Sequence, residues 1–202
     1  VHRIDKDTSG LLVVAKSDRA HHGLAAQFEA HSADRAYLAV VYGVPDAGDP
    51  RLVGTRGVSM EPGGVIRIQS GLARHKTDRQ RQAVYFDGQG RHATTRASVL
   101  ETFGIPPAMA LVQCRLETGR THQIRVHLAA IGHPLVGDGT YGGERSGLVL
   151  DRPFLHAAHL SFDHPVTGDH LAFDAPLPAD LREILDGLGE PEALDRPAEP
   201  TT

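Results

Sequence analysis

An uninterrupted apolar run from Leu11 to Ala15 predicts a short strand. Ser17 or Asp18 can then cap a segment whose Ala20, Leu24 and Phe28 share one helical face. Tyr37 to Tyr42 is a second strand pattern, closed by Gly43. From Gly43 to Gly64 there are six glycines and three prolines with no regular period, so this stretch predicts a surface loop. Val65 to Gln69 and Gln82 to Phe86 predict two strands, with Asp87-Gly88 marking a turn after the second. Longer strands are expected over His92 to Phe103 and Ala110 to Leu116. In the latter, Leu111, Gln113 and Arg115 alternate with Ala110, Val112, Cys114 and Leu116. After Thr118-Gly119 the period changes: Ile124, Leu128 and Ile131 repeat at helical spacing until Gly132 and Pro134 stop the helix. The opposite face of that helix then carries His122, Arg125 and Ala129. Leu155 to Phe162 predicts a further strand, and Pro178 to Leu188 a short helix.

These elements do not repeat as βαβ units. They predict an α/β fold of the α+β type, with a mixed, mainly antiparallel sheet and flanking helices. The 202 residues fit one domain over 1–188, and the Pro, Glu, Ala and Thr of 189–202 predict a frayed tail. No apolar run approaches the roughly 18 residues that span a bilayer, so no membrane attachment is expected. A single cysteine, Cys114, excludes an internal disulfide and favours a reducing, cytoplasmic setting. The chain opens at Val1 without an initiator Met, directly in a dense polar block, which predicts a piece of a longer protein.

A net charge of −4 argues against a simple nucleic-acid binder, but the charge is uneven. Residues 67–96 hold seven cations (Arg67, Arg74, Lys76, Arg79, Arg81, Arg91 and Arg96) against Asp78 and Asp87, a local +5. From Pro178 onward seven acids face two arginines. A basic hairpin on an otherwise near-neutral body can steer a phosphate backbone. It can equally be a solvated Arg-rich hairpin.

Two blocks carry chemistry. In Val1 to Gly10, Asp5 is bracketed by Arg3, Lys6 and Asp7 and followed by Thr8, Ser9 and Gly10. Nearby cations can hold such a carboxylate ionised and exposed enough to attack an electrophile, although a capped, charged turn has the same composition. In Thr118 to His127 a helix start brings Arg120, His122 and Arg125 close together. If the two blocks met in a cleft, an arginine could pair with Asp5 and orient it.

"HRIDKDTSGLLVVAK" at 2–16 and "TGRTHQIRVHLAAIGHPLVGDGTYGG" at 118–143 resemble the two signature segments of the RluA-type RNA pseudouridine synthases. "RAYLAVVYG" at 35–43, "GRHATTRASVLETFG" at 90–104, "LHAAHLSFDHP" at 155–165 and "FDAPLP" at 173–178 follow in register. The resemblance implies a pseudouridine synthase-like sheet with a central cleft, and isomerisation of uridine in ribosomal or transfer RNA. It implies Asp5 as nucleophile on C1′ or C6, paired with Arg125, with Tyr37 against the target base and near its C5 proton. Ile124 would line the pocket, Arg3 would enter the space left by the flipped nucleotide, and Arg120 and His122 would contact substrate. No cofactor, metal or obligatory protein partner is implied, and a monomer is expected. The family's leading strand has no counterpart before Val1, so the resemblance also implies a poorly supported catalytic loop.

Two rival readings remain. A non-catalytic RNA-binding domain of the same fold would suit the negative net charge. A metal-dependent hydrolase would use His2, Asp5, His122, His156 and His159, although no tight ligand motif is present. His156 and His159 are otherwise expected to tie their ring nitrogens to backbone or solvent.

Overall fold

A computed structural model describes residues 1–46, 48–50, 52–104, 108–143 and 148–192. Among these, nine strands join in one sheet. They are β1 (Ser9–Gly10), β2 (Asp34–Tyr42), β3 (Val58–Glu61), β4 (Val65–Arg74), β5 (Gln82–Tyr85), β6 (Arg91–Phe103), β7 (Met109–Leu116), β8 (Leu155–Asp163) and β9 (His170–Asp174). The helices are α1 (Asp18–Glu29), α2 (Gln123–Ala130) and α3 (Ala179–Gly187). The sheet order is β1-β8-β2-β7-β6-β4-β3, with β9 sharing the outer edge of β8 and β5 the outer edge of β4. Every pairing is antiparallel except β1 with β8.

Both faces of the central strands are covered, which overrides the simple alternation of β7. One face packs Ala39, Val41, Val112 and Cys114 against Ile124 and Leu128 of α2. The other packs Val40, Tyr42 and Leu111 against Leu181 and Leu185 of α3. Leu111, expected on a half-exposed face, is therefore buried. Cys114 is fully buried, and burial pushes its thiol up to about 12, which leaves it an inert core residue. No helix among the described residues is long and apolar enough to cross a membrane.

Two expectations need correction. The 11–15 run is not a paired strand: only Ser9–Gly10 pairs with β8, and Leu11 N–H adds one bond to Ala157 O (2.9 Å). Further along, the Val13 N–H donates to His2 Nε2 (3.1 Å) instead of to a strand. The glycine-rich stretch contains β3, which pairs with the start of β4. At the end of the described chain, Glu192 N–H bonds Thr102 O at 2.8 Å. Residues 193–202 of the expected tail lie outside the described residues.

α1 begins as predicted, with Ser17 Oγ accepting from Ala20 N (3.2 Å) and Leu24 buried. α2 departs from its amphipathic reading. Gln123 to Leu128 are all buried, because the helix lies between the sheet and the 135–143 loop. A polar network satisfies its buried side chains. His127 bonds Ser70 Oγ (2.8 Å) and Thr95 Oγ1 (2.9 Å), and Gln123 donates to Thr94 O and Thr95 Oγ1 (3.0 Å each). Burial drives the His127 pKa down to about 4, so the ring stays neutral and α2 is locked onto β4 and β6.

Candidate active site

Asp5 sits in a turn closed by the bond from Thr8 N–H to its carbonyl (3.0 Å), just before β1. Gly10 makes this approach possible. Its φ is +108°, and a Cβ there would stand 2.2 Å from Ala157 O, so no other residue fits against β8. Ser9 Oγ bonds His156 Nδ1 (2.9 Å), while His156 Nε2 bonds Ala175 O (3.0 Å). A carbonyl only accepts, so Nε2 carries the proton and Ser9 donates to Nδ1. Arg152 donates to Asp7 O (3.2 Å) and Ser9 Oγ (3.4 Å), and its Nε and Nη2 grip Asp180 of α3, each at 2.7 Å. The loop is thus braced from β8 and α3, contrary to the poor support expected of it.

Across the cleft, the start of α2 faces Asp5. His122 takes up the left-handed conformation (φ 55°), which turns its N–H toward Asp5 Oδ1 at 3.5 Å. Its Nδ1 meets the Tyr141 hydroxyl at 3.0 Å, and that hydroxyl accepts from Gln82 N–H (2.7 Å). The hydroxyl proton is then free for Nδ1. Burial, and next the Arg125 charge, lower the His122 pKa, so its imidazole is neutral near pH 7.

Arg125 makes its bidentate pair with Asp138, not with Asp5. Nε reaches Oδ2 at 2.7 Å and Nη2 reaches Oδ1 at 2.8 Å, leaving Nη1 4.0 Å from Asp5 Oδ2. Burial opposes the charge, but the bonds and charge of Asp138, with Asp5 behind them, hold the guanidinium above its ordinary pKa. Asp138 is fully buried and also accepts from Thr140 and Tyr141 N–H (3.1 and 3.3 Å). The Tyr141 ring lies under the Arg125 guanidinium at 5.2 Å. Asp138 and Tyr141 were not singled out from the sequence, where a Gly-flanked Asp reads as a turn former; their only signal was membership of the 118–143 motif.

A narrow cavity of about 30 Å³ joins the two sides. Arg3, Asp5, Arg35, Tyr37, Arg120 and Ile124 line it together with Ile4, Thr8, Leu116, Gly119, Gln123 and Leu155. Arg3, Arg35 and Gly119 also line a larger hollow of about 330 Å³. Opposite Tyr37 the register with β8 shifts, with Ala158 as the extra residue on β8, while β2 keeps its regular alternation against β7. Burial, opposed by Arg35 and reinforced by Asp5, raises its pKa, so it holds its phenol proton at neutral pH.

The candidates Asp5, Tyr37, Ile124, Arg3 and Arg120 therefore share one cavity, with His122 and Arg125 behind Asp5. The histidines named for a metal site do not converge. His2 stacks on Phe28 (4.5 Å), His156 is engaged at both nitrogens, and His159 bonds Asp174 (2.7 Å). No group of three or more metal-ligating side chains is found among the described residues. The basic patch divides between the sheet and the hairpin tip. Arg96 pairs with Glu61 (2.7 Å) and Glu117, and Arg67 faces Glu61 (3.7 Å). Arg74, Lys76 and Arg79 are exposed on the β4–β5 hairpin, and Arg81 lies over the Tyr141 ring at 5.4 Å.

Residues 1–130 match a family model described as RNA pseudouridylate synthase. The chain belongs to this family. RNA pseudouridylate synthases similar to it include ribosomal large subunit pseudouridine synthase D of Zymomonas mobilis, 45% identical over 192 residues (92% of this chain, 54% of that protein). An uncharacterized RNA pseudouridine synthase of Bacillus subtilis is 46% identical over 188 residues (93% and 55%). The chain spans about half the length of these relatives. Among solved structures, human RNA Pseudouridylate Synthase Domain Containing 1 superposes with a TM-score of 0.71 at 29% identity, covering 97% of this chain and 75% of that one. The family assignment agrees with the resemblance read from the two motifs and with the mainly antiparallel sheet.

Proposed function

We propose that the protein containing this chain isomerises uridine to pseudouridine in ribosomal or transfer RNA, in the cytoplasm, with Asp5 as the nucleophile. The observation that carries this reading is that Asp5 and Tyr37, from separate segments, line one cavity, with Arg125 from a third segment 4.0 Å behind the Asp5 carboxylate. Asp5 is set for attack on C1′ or C6 of the target nucleoside. The Arg125 guanidinium and the His122 N–H sit on its two oxygens, orienting the carboxylate without a tight ion pair that would quench it. With the glycosidic bond broken, the uracil turns and C5 joins C1′. Asp5 is released as its bond to the nucleoside breaks, the C5 proton is lost with Tyr37 proposed as the polar group at that position, and N1, freed from C1′, takes up a proton. Atoms and electrons balance within the nucleoside, so the reaction needs no redox partner.

A space of about 30 Å³ admits roughly one or two waters and no pyrimidine. Exposed Arg3 swings aside in this account and takes the place of the flipped base in the RNA, its guanidinium stacking there. The hairpin cations steer the RNA backbone toward the cleft. Arg120 continues that track: its Nε holds His92 O (3.0 Å), and burial and then the nearby Arg91 charge lower its pKa.

The test is nucleoside chromatography of unmodified RNA digested after incubation with the full-length protein or its Asp5→Asn variant. Pseudouridine with the parent and none with the variant is expected. Equal yields from both would remove Asp5 from the mechanism.

A further inference from the structure

We propose that Arg35 holds a phosphate group of the target nucleotide, an assignment that rests on the uridine-modifying reading above. Arg35 and Tyr37 lie two residues apart on β2, so they share one face of the strand and line the same cavity. Arg35 is only 6% exposed, and its Nε has no hydrogen-bond partner. Among the described residues it forms no ion pair within 4.0 Å; the Phe28 ring lies 5.1 Å from the guanidinium carbon, and Tyr37 and Asp34 act on its charge through space. The other buried arginine of the site, Arg125, has its carboxylate in Asp138.

An unpaired guanidinium is costly to bury, and burial alone already lowers its affinity for the proton. Such a group persists where an anion arrives to complete it. Three cations, Arg3, Arg35 and Arg120, face this cavity against the single carboxylate of Asp5, so the lining carries surplus positive charge. A uracil carbonyl is neutral and would leave that surplus in place. A phosphate carries the missing charge and has the oxygens that match a planar fork of donors. Position agrees with this assignment. Arg35 also lines the larger hollow of about 330 Å³, so a base directed at Tyr37 and Asp5 would carry its phosphate past the guanidinium. Gly119 keeps that place open, since a Cβ there would stand 2.9 Å from Arg35 Nη1.

The test compares uridine, uridine 5′-monophosphate and uridine 3′-monophosphate as ligands of the full-length protein. Titrations run through the millimolar range at fixed ionic strength, followed by NMR shifts. At least one monophosphate is expected to bind about tenfold tighter than uridine. Arg35→Met erases that preference, Arg35→Lys keeps part of it as a point charge, and the difference between the two monophosphates identifies the phosphate held. Without ligand, Arg35→Met is expected to melt at or above the parent temperature, because an uncompensated charge has left the interior. The proposal is overturned by equal affinities for all three ligands, by no saturable binding of either monophosphate, or by a preference that survives in Arg35→Met. It is also overturned if Arg35→Met melts several degrees lower, which would make Arg35 structural. Failure of the isomerase reading is seen separately: an Arg35-dependent phosphate preference in a protein that makes no pseudouridine keeps the anion site and rejects the reaction.

Discussion

Replacing Asp138 by Asn removes one charge from the most buried ion pair of the site while keeping its shape. Asp138 is fully buried and Arg125 is 10% exposed at its side chain, so solvent screens little of the effect. Removing one partner of a buried pair costs about 3–5 kcal/mol, because the other charge is left uncompensated. Asp5, 4.0 Å from Nη1, compensates in part, which places the expected loss near 3 kcal/mol. For a chain of this size that lowers the melting temperature by roughly 6–12 °C. Urea and thermal denaturation of parent, Asp138→Asn, Arg125→Met and the double variant complete the cycle. The double variant buries no unpaired charge and is expected to recover at least about 1 kcal/mol relative to the sum of the singles. A loss below about 1 kcal/mol in Asp138→Asn, or strict additivity in the cycle, would refute the claim that this pair anchors Arg125.

Acid should act partly through His127. Its folded pKa of about 4 lies below its ordinary value of 6.5, so its stabilising share is complete above pH 6.5 and is lost as pH falls toward 4. That share is about 3 kcal/mol, and His127→Gln should flatten the stability profile between those limits; an unchanged slope would contradict it. On the β4–β5 hairpin, Lys76→Gln with Arg79→Gln should reduce the salt dependence of RNA binding by a slope of about 1–2, read from filter binding at several salt concentrations. An unaltered slope would place the RNA elsewhere. Gly10→Ala should lower stability by more than about 2 kcal/mol on thermal melting, because its Cβ meets Ala157 O where β1 joins β8. A neutral result would show that the turn has room.

Where an apolar pattern is sustained, the chain announces its elements: α1, β2, β6 and β7 lie close to their expected ranges, although burial of both faces of β7 hides its alternation. β3 did not, because four residues among glycines show no period and become a strand only by pairing with β4. The 11–15 run has strand composition but no partner strand beyond Leu11, and pairing is a property of the fold rather than of the segment. Charge misled in a similar way. The local +5 of 67–96 is a sum along the chain, but the patch divides between the sheet and the hairpin tip, and Arg67 and Arg96 meet Glu61 and Glu117 on the sheet. Most of the cavity-lining residues were legible because they fall in the two long motifs and, for Arg35 and Tyr37, in the shorter 35–43 match. Their supports were not. Asp138 reaches Arg125 only because the chain doubles back after α2, and Arg152 reaches the Asp5 loop from a distant segment before β8.

The central claim is that Asp5 acts at uridine in ribosomal or transfer RNA. It is tested most directly by incubating unmodified ribosomal and transfer RNA with the full-length protein and with Asp5→Asn, then mapping carbodiimide-dependent reverse-transcriptase stops. The account predicts new stops at one or a few uridines with the parent and none with the variant. Measurable RNA binding without any new stop in either RNA would contradict it and favour an RNA-binding domain that has kept the fold without the reaction.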